Sequence, residues 1–382
     1  MNENDLFEEI VAIRRDIHQN PEIEFEVERT ASIAADSLRE AGIKVREKVG
    51  VSGVVGDIVV PGATRRIALR ADMDALPMDE ERDISYRSQV PGKAHMCGHD
   101  SHTAMLIGAA KILSHHRDEL NNHVRFIFQP SEEKLPGGAP GMIDDGALDE
   151  VDEIYALHVW PSLPTGVIGV CRGEAMAQPD IFTIKIKGRG GHAAAPDETV
   201  DPIVIASQLV MSLQTVISRQ TAPSERAVLS VTQFHAGTAS NVIGSEAILE
   251  GTVRTFSKEV QQNIKRAMHL LTESITKMYG ASFEINYQEG YPVLVNDLSA
   301  EQHAVSKANQ FLKEEQVYYP GEKMMGGEDF AYYTQKIPGC FIQLGCRNEE
   351  KDCIYPLHHP CFNLDEECMK VGVKLLTSLC SK

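Results

Sequence analysis

The sequence lacks several features that mark large classes of protein. Its 382 residues contain no run of 18 or more apolar residues, which argues against a transmembrane helix. The segment "MNENDLFEEIVAIRRDIHQN" lacks the basic start and apolar centre of a signal peptide, so we expect the cytoplasm. Basic charge is scarce: 37 Lys and Arg against 55 Asp and Glu give a net charge of -18. This balance argues against a nucleic acid or a membrane surface as partner.

Paired cysteine motifs are also missing. The eight cysteines are scattered and none forms C-x-x-C. The spacing of Cys346, Cys353, Cys361 and Cys368 is too wide for a structural zinc knuckle. We therefore predict that these four are reduced thiols, as is usual inside cells.

The chain is too long for one compact core, which predicts two domains. Its first part alternates apolar strands with helical patterns, for example "RRIALRAD" followed later by "SHTAMLIGAAKILSHH". This order predicts the α/β class, with a mostly parallel sheet covered on both faces. Ligands of such sheets lie beyond the carboxyl ends of the strands.

Polar residues follow the predicted strands at those ends. Asp72 and Asp74 follow one strand, Glu132 and Glu133 the next, and His158 closes a third. Because the glutamate pair directly follows an apolar strand and a proline, an ordinary solvated face explains it poorly. The sequence therefore predicts a site built from several strand ends.

The middle of the chain has a different pattern. Residues 179–291 have the order β-α-β-β-α-β, in which Asp201 and Ser257 begin the helices and Gly280 ends the second. This order is the ferredoxin-like split unit. We predict an inserted α+β domain at 179–291 and a discontinuous catalytic domain formed by 1–178 and 292–382.

The stretch "MCGHDSHTAML" could be a metal site, a nucleophile with its base, or an ordinary loop. If the stretch is extended, Cys97 and His99 point to the same side. Together with Glu133, His158 and His358 they make five ligands of the types that zinc-like metals take. Five ligands, one of them bridging, suit two metals about 3.5 Å apart.

In this interpretation Glu132, next to a ligand, is free to act as the general base. It would take a proton from water and pass it to the leaving amine. Asp72 or Asp74 would accept a hydrogen bond from a ligand histidine and orient it.

The competing hypothesis makes Cys97 a nucleophile with His99 or His102 as its base. It leaves the glutamate pair, His158 and His358 without a role.

Five motifs in order resemble one family. They are "MCGHDSHTAMLIGAA", "FQPSEE", "LHV", "GRGGHAAAP" and "GGEDFAYY". From about Arg14 to the C-terminus the chain resembles the amidohydrolase branch of the aminoacylase/carboxypeptidase metallopeptidases. That branch includes hippurate hydrolases, N-acyl-amino-acid amidohydrolases, auxin-conjugate hydrolases and N-acetyldiaminopimelate deacetylases. The resemblance implies a zinc-peptidase-like catalytic domain, with an inserted lid through which the protein forms a homodimer or a higher homo-oligomer.

The resemblance also implies roles for individual residues. The family's metal ligands fall on Cys97, His99, Glu133, His158 and His358, and its catalytic glutamate falls on Glu132. In dimeric members, the histidine that matches His192 reaches into the partner's active site. Asn241 and Arg254 resemble the residues that bind the substrate carboxylate. "LHHP" departs from the commoner "LHSP", so His359 competes with His358 as a ligand.

The expected reaction is the hydrolysis of an N-acyl amino acid to a carboxylate and a free amino acid. The expected cofactors are two divalent ions per subunit, drawn from zinc, manganese, cobalt and nickel. Two alternatives are a metallo-dipeptidase or carboxypeptidase, and a non-catalytic metal-binding relative.

Overall fold

The structure, a computed structural model, describes residues 3–381. The helices are α1 (Glu3–Gln19), α2 (Glu28–Glu40), α3 (His99–His115), α4 (Ala139–Asp144), α5 (Pro202–Thr215), α6 (Lys258–Met278), α7 (Leu298–Ala308), α8 (Ala331–Thr334) and α9 (Cys368–Cys380). The strands are β1 (Lys44–Val49), β2 (Gly53–Ile58), β3 (Arg66–Asp72), β4 (His123–Gln129), β5 (Glu153–Pro164), β6 (Ile168–Val170), β7 (Glu174–Met176), β8 (Gln178–Lys187), β9 (Gly191–His192), β10 (Ala227–Ala236), β11 (Val242–Ile243), β12 (Glu246–Thr255), β13 (Ser282–Gln288), β14 (Leu294–Val295), β15 (Val317–Tyr318) and β16 (Gly339–Arg347).

The described chain divides into two units. Within residues 3–381, the first consists of residues 3–175, 294–323 and 329–381, and the second of Met176–Val293 and Met324–Glu328. The predicted insertion at 179–291 lies inside the second unit. Residues 1, 2 and 382 of the predicted catalytic domain lie outside the described residues.

The first unit contains an eight-stranded sheet in the order β1-β2-β4-β3-β5-β16-β6-β15. At its centre β3 runs parallel to β4 and β5, and β5 runs parallel to β16. The outer strands β1 and β2 pair antiparallel. This mixed sheet with a parallel centre confirms the predicted α/β class.

Helix α3 is the innermost helix of the first unit. Its residues are buried on nearly every side, and it packs against α1 and α9. Its sequence fits this position, because "TAMLIGAA" offers small and apolar side chains all round rather than one apolar face. A buried α3 holds its N-terminal end, beside the strand ends, in a fixed place.

The second unit contains a four-stranded antiparallel sheet in the order β10-β12-β8-β13. With α5 and α6 it has the predicted β-α-β-β-α-β order. The side chains of β8 alternate as expected: Phe182, Ile184 and Ile186 are fully buried. Asp201 begins α5, where its carboxylate accepts the backbone N–H of Ile203 at 2.9 Å.

Among residues 3–381, no helix combines the length and the apolar composition needed to cross a membrane.

Candidate metal centre

Three neighbouring strands bring the predicted carboxylates and His158 to one edge of the sheet. Asp72 ends β3 level with Gln129, the last residue of β4. Glu132 and Glu133 follow β4 after a short turn. Contrary to the prediction, His158 does not end its strand, since β5 continues to Pro164. It faces the site because it lies two residues beyond Ala156, the partner of Arg70 on β3.

The turn before the glutamate pair is held by Asp74. Its two carboxylate oxygens accept the backbone N–H groups of Glu132 and Glu133, at 2.9 and 3.1 Å. The residue before them, Ser131, has a φ of 55°, a left-handed conformation that costs free energy in a non-glycine residue. Asp74 therefore stabilises a strained turn that carries both glutamates. Its Oδ1 also lies 3.6 Å from Nδ1 of His99, so its predicted role of orienting a ligand histidine stays a prediction.

Cys97 and His99 are not on an extended segment, which corrects that part of the prediction. Gly98 between them has a φ of 90°, and α3 begins at His99. A side chain at Gly98 would collide with Val159, so the chain needs glycine there. The turn still brings Cys97 to His158, with Sγ and Nε2 3.5 Å apart.

His358 is joined to the same site from the C-terminal part of the chain. Its backbone N–H donates to the carbonyl of Met96 at 2.7 Å, and its Nε2 lies 3.2 Å from Oε1 of Glu133. The ring of His359 is otherwise engaged, since it stacks on Tyr355 and its Nδ1 accepts the N–H of Cys361. The geometry favours His358 over His359.

The possible ligand atoms form overlapping groups whose members lie within 4.8 Å of one another. The groups that contain two or more of the predicted ligands are Cys97 with His99 and His158, Cys97 with Glu133 and His358, and His99 with Glu132 and Glu133. His158 uses its Nδ1–H to donate to the carbonyl of Val159 at 2.8 Å, which leaves the Nε2 lone pair for a metal.

His99 provides a test of whether a metal fits. The ring is fully buried, yet neither nitrogen makes a hydrogen bond within residues 3–381. Buried polar atoms are almost always paired. Around the ring, carboxylate oxygens of Asp72, Asp74 and Glu133 lie 3.6 to 3.8 Å away. An unbonded imidazole among three carboxylates and a thiol has the chemistry of a site for a divalent cation.

The electrostatics agree with that fit. Burial alone would lower the pKa of His99, but the nearby carboxylates of Asp72, Asp74 and Glu133 raise that pKa to about 10. Burial and the carboxylates of Glu133 and Glu132 raise the pKa of Cys97 well above its usual range. An activated nucleophile has a lowered thiol pKa. Cys97 therefore lacks the environment of a nucleophile, whereas a metal ion would deprotonate it directly.

His102 is unsuited to act as a base. Its Nδ1 lies 2.6 Å from Oδ1 of Asp72, and its Nε2 accepts the backbone N–H of Val159 at 2.9 Å. Because Nε2 is an acceptor, the neutral ring carries its proton on Nδ1 and donates it to Asp72. Oδ2 of Asp72 also accepts a hydrogen bond from Nη1 of Arg70 at 2.7 Å. Asp72 thus orients His102, a residue that the sequence suggested only as a base.

Sequence reasoning missed a buried network beside the site. Arg70 donates to Asp72, to Gln129 and to Oδ1 of Asp329, the last at 2.8 Å. Gln129 and the backbone N–H of Ala139 also donate to Asp329. Asp329 stands in the "GGEDFAYY" motif, to which no role was given. An arginine inside the apolar strand "RIALRAD" was the available signal for a buried acidic partner.

The other three predicted site residues lie in the second unit. His192, on β9, pairs with Val242 of β11, and its Nδ1 accepts the backbone N–H of Ala194 at 3.0 Å. Its neutral ring therefore carries a proton on the exposed Nε2. The carbonyl of Asn241 accepts the N–H of Ala193, so Asn241 is beside His192.

Arg254, on β12, is half-buried. Its Nε donates to Oγ1 of Thr252 at 3.0 Å, and burial lowers its pKa. No carboxylate in the described chain lies within ion-pair distance of its guanidinium.

Comparison with known proteins identifies the family. Residues 68–382 match the family model described as Peptidase family M20/M25/M40. The chain belongs to this peptidase family. Another member, a Bacillus subtilis N-acetylcysteine deacetylase, is 40% identical over 97% of this chain and 95% of its own length. A thermostable carboxypeptidase of Saccharolobus solfataricus is also 40% identical, over 95% of this chain and 92% of its own.

A solved structure of the M20 family supports the metal count. The Bacillus subtilis YXEP protein, described as a dinuclear metal binding peptidase, has a TM-score of 0.86 and 36% identity. The match covers 99% of this chain and 98% of that one. The comparisons confirm that this M20 protein is a hydrolase, and they support two divalent metals as its cofactor.

Proposed function

We propose that the protein hydrolyses the amide bond of N-acyl amino acids, releasing a carboxylate and a free amino acid. Five side chains would hold the two metal ions: Cys97, His99, Glu133, His158 and His358. The observation that carries this proposal is the buried His99 ring, whose nitrogens have no hydrogen bond in the described chain and lie among carboxylates.

Two bound divalent ions would supply Lewis acidity, polarising the amide carbonyl and lowering the pKa of the attacking water. Glu132 accepts the proton that water loses as its oxygen bonds to the amide carbon. The same carboxyl group then gives that proton to the nitrogen as the C–N bond breaks. Asp74 keeps Glu132 in place by binding its backbone N–H at 2.9 Å.

The substrate class is supported by what the named relatives share. A deacetylase of N-acetylcysteine and a carboxypeptidase both cleave an amide whose nitrogen belongs to an amino acid with a free carboxylate. Arg254 would bind that carboxylate together with Asn241, because its guanidinium has no ion-pair partner in the described chain. His192 would donate its Nε2–H to the oxyanion formed as water attacks, acting from the second subunit of a homodimer.

A metallo-carboxypeptidase is the second candidate, and the carboxypeptidase relative favours it. A substrate panel separates the two. The metal-free enzyme is reloaded with zinc, manganese, cobalt or nickel. It is then assayed on N-acetyl and N-benzoyl amino acids and on dipeptides with the same C-terminal residue. We expect faster turnover of the N-acyl amino acids with at least one metal. Turnover of dipeptides alone would assign the protein to the peptidases.

The remaining proposals concern location, assembly and metal identity. We infer a cytoplasmic homodimer formed through residues 179–291, which could assemble further. The thiolate of Cys97 favours zinc or cobalt, whereas the imidazole and carboxylate ligands also suit manganese or nickel.

A further inference from the structure

We propose that Arg14 is a positioning residue for the metal centre, acting through Asp100 on the turn that carries Cys97 and His99. This inference rests on the proposed function, because it takes those two residues as metal ligands. Arg14 itself touches neither ligand.

Arg14 is a fully buried charge with three acceptors. Its Nε donates to Oδ2 of Asp100 at 2.7 Å, Nη1 to Oε1 of Glu366 at 3.0 Å, and Nη2 to Oδ1 of Asn363 at 3.1 Å. The guanidinium also lies 4.9 Å from the ring centre of Tyr86. A buried charge is tolerated only when it is paired and hydrogen-bonded. Arg14 therefore ties α1, the first turn of α3 and the segment before α9 to one point.

Asp100 is held from two directions. The oxygen that accepts from Arg14 also lies 2.8 Å from Nδ1 of His18, which is fully buried as well. Nε2 of His18 lies 3.4 Å from Oε1 of Glu80. Asp100 is the second residue of α3, where the helix dipole also favours a negative charge. Its carboxylate is thus fixed relative to α1.

The ligand side of the same turn has few hydrogen bonds of its own. Neither nitrogen of His99 makes a hydrogen bond in the described chain, and Sγ of Cys97 lies 3.5 Å from Nε2 of His158. The positions of both ligand atoms therefore depend closely on the backbone from 97 to 100. Metal ligands must sit within about 0.2 Å of their ideal distances. A small displacement of Asp100 would thus reach the metal centre directly.

The first test replaces Arg14 by lysine, which keeps the positive charge but cannot make the same three hydrogen bonds. Zinc affinity is measured by chelator competition, together with the unfolding temperature of the metal-free protein. Loss of a residue that orients metal ligands typically weakens metal binding about 10- to 100-fold. We expect that loss in Arg14→Lys.

Arg125→Lys is the matched control. Arg125 is also buried and binds both oxygens of Asp57, at 2.8 and 3.0 Å, but it contacts no part of the 97–100 turn. We expect it to lower the unfolding temperature and leave zinc affinity unchanged. An equal loss of affinity in both variants, or none in Arg14→Lys, would overturn the inference.

Two variants of His18 test the same proposal if Arg14→Lys does not fold. His18→Asn retains an N–H near the position of Nδ1 and should keep zinc affinity, whereas His18→Leu removes the donor and should weaken it. Equal affinities in these two variants would contradict the proposal.

Cys97→Ser, measured in parallel, separates this inference from the proposed function. If Cys97→Ser loses zinc and the Arg14 and His18 variants do not, only the positioning role fails. If Cys97→Ser binds zinc normally, the metal site itself is misassigned.

Discussion

Most candidate site residues are buried in the first unit and exposed in the second, with exceptions that include the exposed His358 and the half-buried Arg254. In the first unit, Cys97, His99 and His158 are buried, and their backbones are fixed by neighbouring strands and by the inner helix α3. In the second unit, His192 on β9 and Asn241, directly before β11, are exposed at a two-stranded ribbon formed by β9 and β11. Metal ligands need fixed distances, so burial suits them. A residue that acts on substrate, or from another subunit, has to remain accessible.

Replacing a buried metal ligand, Cys97 or His158, should have the largest effect on activity. Cys97→Ser or His158→Ala should lower bound metal and reduce amide hydrolysis by about 10⁴-fold or more, since Lewis-acid help is worth several kcal/mol. Elemental analysis and turnover of N-acetyl amino acids check this. Cys340→Ser, at another buried thiol, should retain its metal. Full metal content and normal turnover in both site variants would show that the ligands lie elsewhere.

The two adjacent glutamates, Glu132 and Glu133, should differ in what their replacement removes. Glu132→Gln keeps the shape of the side chain but cannot accept a proton, so turnover should fall by about 10² to 10⁴-fold with metal content near normal. The adjacent Glu133→Gln is the matched control, because it should lose metal as well as activity. If Glu132→Gln keeps its metal and loses less than about tenfold in rate, another residue is the base.

Sequence patterns predicted the sheet and the carboxylates because both follow from local rules. Apolar strands followed by Asp72 or by Glu132 and Glu133 place acidic groups at parallel strand ends wherever the helices pack. The turn at Gly98 was not predictable in this way. Gly98 is left-handed, and the space that excludes any side chain there is closed by Val159, which is distant in sequence.

The hydrogen bonds that join Arg14 and His18 to Asp100 were not predicted, although the sequence of α1 contains one signal of them. On α1, the buried stripe runs through Leu6, Ile10, Arg14 and Ile17, so a charge occupies a core position of an amphipathic helix. That pattern indicates a buried partner but does not name it. The partner, Asp100, follows 86 residues later and is recognisable only after α1 and α3 have packed.

Replacing the exposed His192 should lower activity less than replacing a metal ligand. Replacing His192 by alanine removes one proposed oxyanion donor, which typically costs about 10² to 10³-fold in turnover. Metal content should not change, because His192 belongs to none of the ligand groups found in the described chain. Normal turnover in His192→Ala would exclude the role.

Mixing two inactive variants tests whether His192 acts across a dimer. Dimers of His192→Ala with Glu132→Gln would combine an intact Glu132 in one subunit with an intact His192 from the other, so one competent site should return per mixed dimer. The measurement is the activity of the mixture after subunit exchange has been confirmed. Activity that stays at the level of the parents would exclude action across a dimer.

The smallest expected effect is on substrate binding by Arg254. A hydrogen bond to a charged group is worth about 1.5 to 3 kcal/mol, so Arg254→Ala should raise KM about 10- to 100-fold with little change in kcat. The half-buried guanidinium already gives one hydrogen bond to Thr252 and has no ion pair in the described chain. Its remaining donors are therefore available to the substrate carboxylate.

A substrate without the carboxylate makes this last prediction specific. With an N-acetyl amino acid amide, the wild-type protein has no anion to bind, so Arg254→Ala should cost little further. Lys185→Ala, which removes a partly exposed cation of the same sheet, should leave both substrates unaffected. The penalty of Arg254→Ala should thus appear only with the acid. An equal penalty on acid and amide would mean that Arg254 supports the sheet, since a structural defect cannot distinguish the two substrates by charge.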